Sequence, residues 1–205
     1  MFSPDVYINR RKTLKQKVSN GLILLLGNND SPMNYPANGF HFRQDSTFLY
    51  YFGLNLQGMA AIIDPEAGET TILANDVDID DIIWMGPQPS VKELALKCGV
   101  TKSKPFAEIY SEIEKAIKSK RKIHFLPPYR HDNMILLHKL LGIGFDNMKS
   151  EASLELINAV VSQRNIKEDC EIEEINKACN IGYLMHTTAM KMAKDGVVER
   201  EIAGI

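Results

Sequence analysis

Phe40-His41-Phe42-Arg43-Gln44-Asp45-Ser46-Thr47-Phe48-Leu49-Tyr50-Tyr51-Phe52-Gly53-Leu54 is the stretch whose reading decides the fold. From Phe48 to Phe52 it is unbroken aromatic and apolar sequence before Gly53, which predicts a strand buried on both faces and therefore central to a sheet. Arg43, Gln44, Asp45 and Ser46 set a fixed charge, an amide, a carboxylate and a hydroxyl beside that run. If buried, such groups must hydrogen-bond one another or the backbone. The residues alone therefore describe a structural corner beside a core strand.

Upstream, Ser3-Pro4-Asp5 predicts a helix start, with Ser3 as N-cap, Pro4 in the first helical position and Asp5 at the positive end of the dipole. That helix runs to about Val18, and Asn20-Gly21 stops it. Leu22 to Leu26 reads as a buried strand closed by Gly27-Asn28-Asn29-Asp30. Residues 27–41 then form a loop of a length that is often functional. Downstream, Met59 to Ile63 and Thr70 to Leu73 flank the turn sequence Asp64-Pro65-Glu66-Ala67-Gly68-Glu69, a hairpin pattern that brings the sheet to at least four strands.

Ser90-Val91-Lys92-Glu93 is a capping-box sequence opening a helix that Gly99 ends. Phe106, Ile109, Ile113 and Ile117 recur at helical spacing, and Ile123 to Leu126 reads as another strand before Pro127-Pro128. Asp132 to Leu141 predicts one more helix. This alternation describes an α/β domain, a mixed sheet with helices on both faces. Near residue 150 the pattern turns helical, with Ser153 to Val161 and then a long helix from Asp169 to Lys194. Ile172, Ile175, Cys179, Gly182, His186, Ala189 and Ala193 form one stripe on it, which predicts packing along a broad surface with His186 as a packed histidine. Glu199 to Ile205 begins a further helix that ends after one turn, so the chain is expected to be the N-terminal portion of a longer protein.

Bulk composition narrows the function class. At 205 residues, 44% hydrophobic, 24% charged and net charge −2, the chain is neither a disordered tail nor a polyanion binder, so nucleic acid is not an expected partner. The longest apolar run, Leu22 to Leu26, is far too short to span a bilayer, and Met1 to Lys12 lacks the apolar core of a signal peptide; a cytoplasmic protein without a membrane partner is expected. Cys98, Cys170 and Cys179 include no Cys-x-x-Cys pair, so they read as reduced, half-buried filler. Without a secretory signal, the sequon Asn29-Asp30-Ser31 carries no glycan.

Four further features invite a chemical reading. Asp76-Val77-Asp78-Ile79-Asp80-Asp81 fails as a calcium loop, because Asp81 and Pro87 stand where an EF-hand needs Gly and Glu; it reads as a solvated acidic turn. His131 and His138 share a helix face but lack both the spacing of a helical zinc pair and a third ligand. Gly142-Ile143-Gly144 is too short for a phosphate loop. Trp84, the only tryptophan, reads on general grounds as a core or rim residue.

The string Phe42-Arg43-Gln44-x-Ser46-x-Phe48-x-Tyr50-x-x-Gly53 resembles the signature of the N-terminal domain of Xaa-Pro aminopeptidases (aminopeptidase P), relatives of creatinase and prolidase with the pita-bread metallopeptidase fold. Trp84-Met85-Gly86 is similar to the family's Trp-x-Gly, although Ile82 replaces the acid common two places earlier. Arg164-x-x-Lys167, Glu171-Ile172, Ala178 and His186 resemble the opening of the catalytic domain, with Glu168 where relatives usually place a serine cap. The resemblance implies an aminopeptidase P N-terminal α/β domain over residues 1–162 and a truncated catalytic pita-bread domain over 163–205.

It further implies a parent enzyme that removes the N-terminal residue preceding proline, using two divalent metal ions, usually manganese. Their ligands, two Asp, one His and two Glu, would all lie beyond this chain, which is expected to be inactive alone. The expected partners are peptides with proline second and further copies of the chain, as a dimer or tetramer. Trp84 would then line the substrate cleft of a neighbouring subunit, while Phe42, Arg43, Gln44, Ser46, Phe48, Tyr50 and Gly53 are structural. Prolidase, a creatinase-like hydrolase and a metal-free binding module of the same fold are the alternatives.

Overall fold

A computed structural model describes residues 1–205. The chain divides into two compact units, Met1–Gln163 and Arg164–Ile205. The first is built on a five-stranded mixed sheet of order β4-β3-β2-β1-β5. Its strands are β1 (Leu22–Leu26), β2 (Ala60–Asp64), β3 (Glu69–Leu73), β4 (Lys102–Lys104) and β5 (Ile123–His124). β1, β2 and β3 pair antiparallel, with Leu24 opposite Ile62 and Ile62 opposite Thr71. The two short edge strands pair parallel, β4 with β3 and β5 with β1.

Side chains alternate faces along each strand, so apolar runs such as Leu22–Leu26 feed two cores at once. Ile23, Leu25, Ala61, Ile63 and Ile72 meet α1 (Pro4–Lys17), α2 (Ser46–Phe52), α4 (Val91–Lys97) and α8 (Leu154–Asn165) through Leu14, Phe48, Val91 and Leu156. Leu22, Leu24, Ala60, Ile62 and Leu73 meet α5 (Glu108–Lys118), α6 (His131–Leu141) and α7 (Met148–Glu151) through Ile113, Leu137 and Met148. The expected α/β architecture with both faces covered is therefore present, as are the β2–β3 hairpin and the Ser90–Glu93 capping box.

The opening stretch departs from expectation. Residues 46–52 form α2 and not a central strand. Asp45 Oδ1 accepts from the backbone N–H groups of Thr47 and Phe48, satisfying two donors a new helix leaves open, and Gly53 closes the helix in the left-handed conformation. A short apolar run has no period of its own, so a helix buried nearly all round looks like a two-face strand. The sheet reaches five strands without it, because Lys102–Lys104 adds an edge strand with no apolar signature and β5 contracts to two residues.

The second unit holds α9 (Asp169–Met192) and α10 (Glu199–Ala203). α9 opens where Glu171 Oε2 accepts from the Glu168 backbone N–H at 3.0 Å, so the acid at the cap position is usable after all. None of its residues is buried, and its apolar stripe, including Ile172 and Ile175, faces outward. His186, expected to be packed, is exposed. α3 (Ile79–Met85) in the first unit likewise has no buried residue.

Candidate functional site

Gln44 of the signature anchors a polar hub where β1 leaves the sheet. Gln44 is 1% exposed, and its Oε1 accepts from the backbone N–H of Asn28 at 2.7 Å and of Asp45 at 2.9 Å. Its Nε2 donates to Leu56 O at 2.6 Å. One amide thus ties three segments, the exit of β1, the start of α2 and the loop before β2, and uses its donor and acceptor ends in one orientation only. Gly27 makes room for it, since a Cβ there would lie 3.0 Å from Gln44 Oε1 and 2.7 Å from Met59 O.

Around Gln44 the hub widens. Asn28 Nδ2 donates to Arg43 O and to the Tyr129 hydroxyl, while the Tyr129 hydroxyl donates to Asp45 Oδ2 at 3.1 Å. Asn133, from α6, donates to Gly27 O. Tyr129 is 64% exposed, yet desolvation at its hydroxyl end, with the Asp45 carboxylate beside it, pushes the phenol above its usual range. The phenol therefore stays protonated and serves as a hydrogen-bond donor. Arg43 is exposed and reaches Ser46 Oγ at 3.3 Å. With Phe40, His41, Phe42 and Arg130 it borders an open pocket of about 270 Å³.

Phe48, Tyr50 and Gly53 belong to the packing of α2. Phe48 packs against Phe52 with ring centroids 4.9 Å apart and the rings tilted by 36°, and the Tyr50 ring carries the Arg10 guanidinium 3.9 Å above its centroid. Arg10 and Arg11, both 3% exposed, donate to the carbonyls of Tyr50 and Tyr51 at 2.9 and 2.8 Å. These carbonyls lie in the last turn of α2, whose groups have no partner within the helix, so α1 caps α2 from outside. The Arg10-Arg11 pair, Asn28, Tyr129 and Asn133 were not anticipated as a group. Only the adjacent arginines, which interrupt the spacing of Tyr7, Leu14 and Val18, gave any signal.

Trp84 lies elsewhere, on α3. It is 87% exposed, against the core or rim placement expected on general grounds, and it stands with Ile79 at 75%, Ile83 at 70% and Met85 at 60%. Asp78 caps α3 by accepting from Asp81 N at 2.9 Å, so the acidic turn serves as a helix start and exposes an apolar helix. His131 and His138 are exposed on α6, Gly142 is the left-handed end of that helix, and Cys98 is buried while Cys179 is exposed. No group of three or more His, Cys, Asp or Glu side chains comes together to hold a metal ion. The metal pair implied by the resemblance thus finds no donor set among these residues. No helix is long and apolar enough to cross a membrane.

Residues 7–124 match the family described as aminopeptidase P, N-terminal domain. This chain belongs to that family. Among curated relatives, a probable Xaa-Pro aminopeptidase of Metarhizium robertsii is 26% identical over 179 residues, covering 87% of this chain and 36% of the relative. Another from Talaromyces stipitatus is 26% identical over 96% of this chain and 38% of its own length. The chain therefore spans well under half of the curated relatives it matches.

The aminopeptidase P fold extends beyond the matched segment. A histidine-to-alanine variant of Escherichia coli aminopeptidase P superposes with TM-score 0.80 at 18% identity, over 100% of this chain and 48% of that one. Proline aminopeptidase P II from Yersinia pestis gives TM-score 0.76 at 22% identity, over 99% of this chain and 48% of its own. One further match, at TM-score 0.79, is a zinc-substituted form of the E. coli enzyme in complex with product, so a metal is bound in that protein.

Proposed function

We propose that this chain is the N-terminal portion of a metal-dependent Xaa-Pro aminopeptidase, which removes the N-terminal residue preceding proline, and that this portion joins subunits and shapes the substrate cleft. Membership of the aminopeptidase P N-terminal domain family and the run of Xaa-Pro aminopeptidases among the relatives support the parent activity. The observation that carries the second part is α3, a helix with no buried residue that presents Trp84, Ile79, Ile83 and Met85 to solvent. A contiguous apolar patch of this kind marks an interaction surface, and tryptophan is the side chain most enriched at such surfaces. On this reading Trp84 is an apolar wall for the substrate of a neighbouring copy, placed beyond the scissile bond.

The test is Trp84→Ala in a protein that includes the catalytic portion. Because the wall acts on residues away from the reacting centre, kcat/KM for longer Xaa-Pro peptides falls by more than kcat/KM for Xaa-Pro dipeptides. Equal losses for both lengths would argue against the assignment.

A further inference from the structure

His124 is the only buried one of the five histidines, with no exposed surface. It sits on β5 opposite Ile23 of β1. Its Nδ1 lies 2.6 Å from Ser153 Oγ and its Nε2 3.3 Å from Asn20 Oδ1. With Asn20 Oδ1 accepting, Nε2 carries the imidazole proton and Nδ1 accepts from the Ser153 hydroxyl. Ser153 is itself the start of α8: its Oγ accepts from Leu156 N at 3.2 Å, its carbonyl from Ile157 N, and its own N–H donates to Phe125 O at 3.0 Å. The first turn of α8 is thus fastened through one serine in two ways, by its backbone N–H to Phe125 just past β5 and by its hydroxyl to His124 on β5, and the hydroxyl fastening depends on a neutral imidazole.

We propose that His124 and Ser153 form a proton-operated clamp, in which charging the imidazole releases the first turn of α8 from β5 while the rest of the sheet stays folded. A second proton on the ring makes Nδ1 a donor, so Ser153 Oγ must accept from both Nδ1–H and Leu156 N–H, and the serine proton loses its acceptor at a site only 4% exposed. Two charged groups face the ring. Glu155 of α8, its Oε2 3.9 Å from Nδ1, favours the charge; Lys122, beside β5, opposes it. Beyond Gly21, Arg121 is paired with Asp64 and Glu66. Burial is the largest influence and holds the His124 pKa below its ordinary value, with Lys122 adding to it.

The sign follows from that direction. Between the folded and unfolded pKa values the released state binds more protons, so the clamp is complete above the ordinary histidine value of about 6.5 and weakens as pH falls below it. α8 runs to Asn165, where the second unit has already begun, so the helix leading into that unit is held at its head by a titrating group.

Amide hydrogen exchange on the whole 205-residue chain tests the clamp. Between about pH 7.5 and about pH 5.5, after correction for intrinsic rates, protection of Leu156 and Ile157 falls roughly fivefold or more, while Leu24 in β1 is unchanged. His124→Gln abolishes the fall. Because that variant could disturb folding, Glu155→Gln provides a second reading: it leaves both clamp residues in place, removes the charge that favours imidazolium in the clamped state, and deepens the fall at about pH 5.5 while its onset stays near the ordinary histidine value. Flat protection in the wild-type chain, an unchanged fall in His124→Gln, or a fall no deeper in Glu155→Gln than in the wild-type chain would overturn the proposal.

Discussion

Gly53 and Gly58 share a backbone conformation, φ +65° and +69°, but not a neighbourhood. A Cβ on Gly58 meets nothing within 4 Å, whereas one on Gly53 would lie 2.1 Å from the Tyr7 hydroxyl oxygen and 2.3 Å from its ring. Gly58→Ala therefore carries only the cost of a left-handed alanine, about 1 kcal/mol. Gly53→Ala adds overpacking against a tyrosine that is 2% exposed, and its total loss is about 3 kcal/mol by urea or thermal unfolding. Similar losses at both sites would show that Tyr7 yields freely. That a glycine belonged at 53 was legible in the sequence. That Tyr7 fills the space in front of it was not, because the contact crosses from α1 to the end of α2.

At the scale of elements, α2 depends on α1 for its C-terminal end. Arg11 donates to the carbonyls of Tyr51, Cys98 and Gly99 at 2.8, 2.7 and 3.2 Å, joining α2 to the end of α4 through one guanidinium. Burial lowers its pKa, but a guanidinium remains protonated in any protein environment, so the charge persists and the carbonyls are what stabilise it. Arg11→Met leaves these carbonyls without their charged donor, and stability falls by about 3 kcal/mol. Arg11→Lys recovers less than half of that, because a compact ammonium cannot span acceptors on two elements as a planar fork does. Full recovery by lysine in an unfolding titration would show that charge alone, and not fork geometry, holds α2 to α4.

For the whole molecule, activity is the relevant scale. The chain contains the aminopeptidase P N-terminal family segment but no set of three side chains able to hold a metal ion. Incubated with manganese, the 205-residue chain is expected to release no amino acid from an Xaa-Pro tripeptide. On the proposed function, a protein that includes a catalytic portion releases it and loses the activity on chelation. Metal-dependent release by the shorter chain would place a catalytic centre among residues that pack the fold.

Local sequence determined those elements whose signals are complete within a few residues. Ser90 with Glu93 started α4, the apolar runs and turn chemistry of residues 59–73 made the β2–β3 hairpin, and the Phe42-to-Gly53 string pointed to the family. Tertiary structure decided the rest. Residues 48–52 became a helix because Asp45 could cap it and because the arginines of α1, far away in sequence, could satisfy its last carbonyls. The hub of Asn28, Gln44, Tyr129 and Asn133 and the clamp of His124 and Ser153 unite residues separated by up to about a hundred positions. Such partnerships leave no periodic trace, since a buried polar group is satisfied by whichever segment the fold brings to it, and only the folded chain specifies which.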